Sequence, residues 1–283
     1  MNYRKLMRKI GKNSDWSFGH NRFAVASAYV GGKEKFDRFT VFDNGAKEYG
    51  DQLMVFSVIS GFICPDVADA VELEFMPALL DRIQIESPGS SQELRKLVSK
   101  EAGEFNKNLE KVISPKSLCG ATTLFGVHFK SNTTLFSVGD CRGVMHDGFG
   151  YHRTIEDTAA DAKVAKFIIE HGGTINFVNG SWRIGGILRT WSVFGAFLFS
   201  NRKWVDLGIS IKSHTALKNR FPLSFVIIGT NGFWDAVSVE TAIDIGAKGR
   251  DKEPLFTAQQ LVEEAFKNKS GDHITVMVVN LEK

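Results

Sequence analysis

The sequence predicts an α+β fold of layered sheets and helices, on three observations. Strand-like segments come in hairpin-like groups, helical segments are grouped between them, and no linker divides the chain. A βαβ alternation would interleave the two types one for one. No repeat at a period of about 20–50 residues is present either, so one domain over residues 15–283 is expected. Length and composition agree: 283 residues, 43% hydrophobic and 24% charged, are ordinary for a globular chain with a full core. Phenylalanine is over-used, 23 of 283, which favours a β-rich interior.

Taken in order, residues 22–30 and 38–43 read as strands. They flank Gly31-Gly32-Lys33-Glu34-Lys35, glycine followed by charge, which suits a hairpin-like turn. Residues 53–59 make a third strand ending at Ser60-Gly61. Pro65 stands where a helix would start, with Val67, Ala68, Val71 and Phe75 as its apolar face. Pro77 is expected to kink or end that helix near Met76 before residues 78–83 resume. After a polar loop at 87–91 a helix is expected over 92–112. Strands at 121–129 and 133–138 follow, joined by Lys130-Ser131-Asn132, and then Val144-Met145.

Residues 157–171 form an amphipathic pattern with Ala160, Val164, Phe167 and Ile168 on one side and Gly172 at the C-cap. Short strands and glycine turns occupy 174–194, and 200–222 read as irregular. Phe225-Val226-Ile227-Ile228 is a buried strand leading into Gly229-Thr230-Asn231-Gly232. Such a strand end presents a polar side chain at a fixed place, here Asn231 or its neighbour Thr230. Helices over 239–247 and 258–267 and a last strand over 274–281 complete the chain.

Charge excludes an overall nucleic-acid footprint: 35 basic and 32 acidic residues give +3. Part of the excess is local, since Arg4, Lys5, Arg8, Lys9 and Lys12 surround Tyr3, Leu6, Met7 and Ile10 at helical spacing. Residues 1–14 are thus a basic amphipathic segment. Packing on the domain is the first reading, with contact to a membrane surface or partner, or a targeting peptide, as alternatives. Three cysteines (Cys64, Cys119, Cys141) lack metal-ligand spacing, and an odd number argues against a disulfide framework. An intracellular, cytoplasmic or nuclear, location is the expectation. No run reaches the roughly 18 apolar residues of a membrane helix. The seven histidines show no metal spacing, and no nucleotide loop, nucleophile elbow or Cys-x-x-Cys motif occurs.

Seven short motifs stand in order along the chain. They are Ser60-Gly61-Phe62-Ile63-Cys64, Gly120-Ala121-Thr122-Thr123, Val138-Gly139-Asp140-Cys141-Arg142-Gly143-Val144, Trp182-Arg183-Ile184-Gly185-Gly186-Ile187-Leu188, Ser192-Val193-Phe194-Gly195-Ala196, Thr230-Asn231-Gly232-Phe233-Trp234-Asp235 and Gly271-Asp272-His273-Ile274-Thr275-Val276. Their sequence resembles the metal-dependent protein phosphatases of type 2C (the PPM family), over roughly residues 15–283. The resemblance implies a four-layer α-β-β-α sandwich with two central antiparallel sheets. It also implies a chemistry in which two Mg²⁺ or Mn²⁺ ions activate a water that attacks a phosphoserine or phosphothreonine.

Carried over position by position, the family's metal-bridging aspartate falls on Ser60 and a further metal aspartate on Asn231, both neutral here. The motif's histidine, a proton donor, falls on Phe62. Gly61, whose carbonyl is a ligand in the family, is kept. Of an acidic pair on the first hairpin, the positions are Phe36 and Asp37, so one carboxylate remains. Asp272 and Asp140 are retained, the latter associated with a third metal, while a last aspartate is replaced by Ala196. Lys33 stands near the phosphate-binding arginine's place, but as a flexible point charge without the guanidinium fork.

Hard divalent cations need carboxylate oxygens. Loss of two of the three carboxylates around the first metal therefore predicts a pseudophosphatase, with no catalytic set intact and no cofactor tightly bound. Asp37, Gly61, Asp272 and Asp140 are its vestigial metal candidates, and a protein partner, a kinase or a phosphoprotein, is expected in place of a substrate. The alternative is a divergent Mg²⁺/Mn²⁺-dependent serine/threonine phosphatase of low activity using those residues. Each surviving acid also has a structural reading: Asp37 as a solvated hairpin residue, Asp140 as a turn aspartate, and Asp272 as a turn cap or brace.

Overall fold

A computed structural model describes residues 16–20, 22–30, 36–43, 53–130, 132–156, 158–178, 180–199, 212–214 and 225–280. The basic segment at 1–14 and Lys33 lie outside the described residues. In chain order the strands are β1 (Trp16–His20), β2 (Phe23–Ala28), β3 (Arg38–Asp43), β4 (Leu53–Phe62), β5 (Gly120–Phe129), β6 (Asn132–Val138), β7 (Arg142–His146) and β8 (Tyr151–Arg153). They continue as β9 (Ile175–Val178), β10 (Ser181–Ile184), β11 (Phe194–Gly195), β12 (Lys212–His214), β13 (Phe225–Gly229) and β14 (Ile274–Asn280). The helices are α1 (Asp66–Ala70), α2 (Met76–Glu86), α3 (Ser91–Val112), α4 (Ala162–Glu170), α5 (Asn231–Trp234), α6 (Val239–Gly249) and α7 (Pro254–Lys267).

The described residues group into two compact units. One lies within Met1–Asp37, Gly143–Arg153 and Asn219–Lys283, the other within Arg38–Arg142 and Thr154–Lys218.

The first unit is built on a sheet of order β1-β2-β14-β13-β7-β8. Period-2 alternation sends Ala24, Ala26 and Ala28 of β2, Ile274, Val276 and Val278 of β14, and Phe225 and Ile227 of β13 into one core. There they meet Ala242 of α6 and Ala258, Leu261 and Ala265 of α7. Small alanines on β2 let the helices approach closely. The alternate set, Val25, Val226, Ile228, Met277 and Val279, is fully buried as well, so these strands are covered on both faces.

The second unit carries a sheet of order β12-β6-β5-β4-β3, with β11 paired to β5. Leu53, Val55, Ile59, Phe125, Val127, Phe136 and Val138 of that sheet share a core with Val67, Ala68 and Val71 and with Leu94, Leu97, Val98 and Ala102 of α3. A cluster of rings, Phe75 with Phe105, Phe125 and Phe194, fills its centre at centroid separations of 5.2 to 5.9 Å. Such separations suit tilted and edge-to-face aromatic packing. A two-stranded hairpin, β9 with β10, completes the unit.

Most expected elements are present, with five differences of physical interest. β2 and β3 do not form a hairpin: β2 pairs with β1 and β14, whereas β3 pairs with β4. The glycine-charge run between them resembles a turn locally, but strand partners are chosen by the faces the strands bury. β4 runs past residue 59 through Ser60, Gly61 and Phe62, because β5 offers Thr122, Ala121 and Gly120 as partners.

Pro77 does not end its helix. A π turn at Val71–Phe75 precedes it, in which Met76 N–H reaches back to Val71 O, and the wider turn accommodates a ring that has no N–H to give. The helix expected over 157–171 begins later, at Ala162. Asp161 caps it, accepting from Lys163 N and Val164 N, and Gly172 follows its end at φ +85°.

The fifth difference concerns the cysteines. Cys64 and Cys119 are joined in a disulfide across 55 residues, with their Cα atoms 5.3 Å apart, and Cys141 is the buried free thiol. The odd count concealed a pair plus one. The argument from the odd count against a disulfide is therefore corrected. Among the described residues no helix is long and apolar enough to cross a membrane.

Candidate functional site

The residues singled out in the sequence fall on both units, and each group has its own geometry. In the first unit β13 ends at Gly229, and Thr230 N–H continues the ladder by bonding Thr275 O of β14. Thr230 is fully buried and precedes α5, whose first residue is Asn231. The buried polar tip at this strand end is thus Thr230, while Asn231 is half-buried beside it. Gly232 is required here, because a Cβ would run into the backbone carbonyl of His273. Ser270 Oγ ties the same corner by donating to Gly232 O at 2.7 Å.

Asp37 closes this cluster. Its Oδ2 accepts the Thr275 hydroxyl at 2.7 Å and the Thr230 hydroxyl at 3.4 Å, and the residue is only 8% exposed. Ser27 Oγ lies 2.9 Å from Thr275 Oγ1 and donates to Ile274 O at 2.7 Å. The expectation of a solvated hairpin residue is therefore corrected: two threonine hydroxyls, from Thr275 on β14 and Thr230 just after β13, hold this buried carboxylate, with Ser27 of β2 behind Thr275. A buried carboxylate requires such donors, since hydrogen bonds to its charged form offset desolvation.

Asp272 acts at the entry of β14. Its Oδ1 accepts His273 N–H at 2.9 Å, as a turn aspartate does. His273 is buried, stacks on Tyr29 at 5.0 Å, and accepts Val30 N–H on Nδ1 at 3.0 Å. A neutral ring accepting on Nδ1 carries its proton on Nε2. Sequence reasoning assigned His273 no role, and it braces the chain after β2.

In the second unit the β4–β5 register sets Ser60 opposite Thr122, Gly61 opposite Ala121 and Phe62 opposite Gly120. Phe62 packs against the small core of Ala159, Ile168, Ile184, Leu188, Val193 and Ala196, so an apolar ring fits its surroundings. A Cβ at residue 120 would meet that ring, which explains the glycine facing it. Thr122, opposite Ser60, reaches Asp140: its hydroxyl donates to Asp140 Oδ1 at 3.0 Å and lies 3.4 Å from Cys141 Sγ.

Asp140, 5% exposed, also pairs through Oδ2 with Arg189 Nε at 3.4 Å. Next to it Arg142 Nε meets Glu156 Oε1 at 2.7 Å. Burial pushes the Glu156 carboxyl up, partly offset by the Arg142 charge. These contacts of Asp140 come from β5 and from Arg189, not from its own turn, and Arg189 and Glu156 were not visible as partners from spacing alone. Among the described residues no three His, Cys, Asp or Glu side chains are placed to hold one metal ion.

The family model described as "Protein phosphatase 2C" matches residues 74–274. The chain belongs to the protein phosphatase 2C family. Among curated proteins of this family, the chain is 28% identical over 270 residues to "Protein phosphatase 1L" of Bos taurus, covering 93% of this chain and 73% of that one. It is 30% identical over 168 residues to "Probable protein phosphatase 2C 45" of Oryza sativa subsp. japonica, 59% of this chain and 56% of the other.

Two solved structures share the fold. A serine-threonine phosphatase 2C from Toxoplasma gondii superposes with a TM-score of 0.74 at 19% identity, over 94% of this chain and 99% of its own. A C. elegans sex determining protein does so with a TM-score of 0.75 at 16% identity, over 99% and 70%. The protein phosphatase 2C fold accords with the α+β architecture of antiparallel sheets and helices expected from the motifs.

Proposed function

We propose that this member of the protein phosphatase 2C family is a catalytically inactive, protein-binding or regulatory module, a pseudophosphatase. One observation carries the reading: Ser60 and Asn231 bring neutral side chains to positions where the resemblance calls for metal carboxylates. Two hard divalent ions need several carboxylates to offset their charge. The surviving acids support the same conclusion, because each has a structural occupation. Asp37 is enclosed by threonine hydroxyls, Asp140 is paired with Arg189, and Asp272 caps its own turn. Phe62, in place of a proton donor, packs into an apolar cluster. This donor set does not fit a two-metal centre.

The kept shape suits recognition of a protein, a kinase or a phosphoprotein, by a surface that binds without turnover. The names of the curated relatives favour a second reading, a Mg²⁺/Mn²⁺-dependent serine/threonine phosphatase of low activity. Mn²⁺ titration calorimetry separates the two. The wild type is expected to show no pair of micromolar sites, and Ser60→Asp/Asn231→Asp to gain Mn²⁺ heat. Two micromolar sites in the wild type, with Mn²⁺-dependent phosphate release abolished by Asp272→Ala, would establish the second reading and sink the first.

A further inference from the structure

The Cys64–Cys119 bond joins two segments that matter for the site. Cys64 lies in the short link between Phe62, the end of β4, and Asp66, the start of α1. Cys119 immediately precedes β5, beside the Phe62–Gly120 pair. Ile63, between strand and cysteine, has φ +71° and is 59% exposed. A β-branched residue is disfavoured in the left-handed region, and such a conformation persists only when its surroundings hold it.

On the other side, Cys119 O accepts Ala196 N–H at 2.7 Å, and Gly120 pairs with Gly195. Gly195 and Ala196 are left-handed too, at φ +76° and +54°. One covalent bond therefore sits between two left-handed corners, one carrying Ser60-Gly61-Phe62 and the other Ala196.

We propose that Cys64–Cys119 is a thiol–disulfide exchange site, reduced by a small thiol of the glutathione class, whose opening releases the link at 62–66 from the start of β5. The reductant's thiolate attacks one cysteine sulfur, breaks the S–S bond and forms a mixed disulfide. A second reductant thiolate then attacks the reductant sulfur of that mixed disulfide. Two protein thiols and one oxidised reductant result, with two electrons and two protons passed to the protein.

Access supports this. Both cysteines are half-buried and sit beside exposed Ile63, whereas Cys141 is buried and screened from exchange. Reversibility is supported by the core, since Val67 and Ala68 of α1 share a cluster with Ala121 of β5. Those contacts keep the two sulfurs near each other after cleavage, so reoxidation is an intramolecular closure. This inference does not depend on whether the chain hydrolyses phosphate.

The test equilibrates the full chain across glutathione redox buffers, reading thiol state by alkylation and mass spectrometry and local opening by hydrogen exchange. Only the Cys64–Cys119 pair is expected to titrate. Exchange at 62–66, 117–121 and 194–197 should rise at least tenfold on reduction and return on reoxidation, with β13 and β14 unchanged. Cys64→Ser/Cys119→Ser should match the reduced wild type. Failure of the pair to form in oxidised protein would overturn the proposal. So would unchanged exchange at those segments after reduction, or exchange rising equally throughout β14, which marks a plain structural staple.

Discussion

Thr275 Oγ1 donates to Asp37 Oδ2 at 2.7 Å, across 238 residues of sequence, and the two are buried together. Asp37→Ala would leave the Thr275 and Thr230 hydroxyls without this acceptor. An unsatisfied buried polar group costs about 1–3 kcal/mol. The expected outcome is a stability loss of that size in urea unfolding, read as a lower midpoint, with Asp37→Asn costing less because it keeps an acceptor oxygen. An unchanged midpoint for Asp37→Ala would refute the buried-anchor role.

Gly232 sits against the carbonyl of His273, with Ser270 Oγ bonded to its own carbonyl. Gly232→Ala forces backbone against backbone, where no side chain can rotate away. A loss of about 1–3 kcal/mol is expected, as for an overpacked core. Thermal unfolding of the variant measures it.

Asp140 and Arg189 are predicted to couple. A double-mutant cycle with Asp140→Asn and Arg189→Met should return an interaction energy of about 0.5–3 kcal/mol, the range for contacting residues. A value near zero would mean that the 3.4 Å pair contributes nothing beyond its separate contacts.

Glu72 makes stability pH-dependent. It lies on the π turn, 3.6 Å from Arg38 Nε, while Asp69 holds the same nitrogen at 2.7 Å. Burial lifts its carboxyl from 4.5 to about 7, against the Arg38 charge and with help from Asp69. The closer Asp69 takes the guanidinium first, so burial wins at Glu72. With the folded value above the unfolded one, the folded state holds the extra proton between them, and stability falls as pH rises from about 4.5 to 7. At about 1.36 kcal/mol per pKa unit as a ceiling, the loss is of the order of 2 kcal/mol. Glu72→Gln should flatten that slope in denaturation curves taken at pH 4.5, 6 and 8. An equal slope in the variant would assign the effect elsewhere.

Much of the fold was legible locally. The apolar runs of β5, β6 and β13 and the helical periodicity of α3 and α7 each place one element within a few residues. The ordered motifs identified the family. Where the reading failed, the deciding partner was distant. The run at 31–35 has turn chemistry, yet β2 chose β14, some 250 residues away, because that pairing buries alanines against α7. Asp37 looked solvated because Lys33, Glu34, Lys35 and Arg38 crowd it in sequence, whereas its hydroxyl partners, Thr230 and Thr275, lie far along the chain.

By itself the sequence determined which chemical groups stand at the site: neutral Ser60 and Asn231, apolar Phe62, and acids at 37, 140 and 272. Side-chain identity is a covalent fact that folding cannot alter. Only the tertiary structure decided how those groups are engaged: Asp37 under threonines, Asp140 against Arg189, and Cys64 joined to Cys119. Hydrogen bonds, ion pairs and disulfides form by proximity, and proximity between residues far apart in sequence is created by sheet register and core packing, which no local pattern encodes.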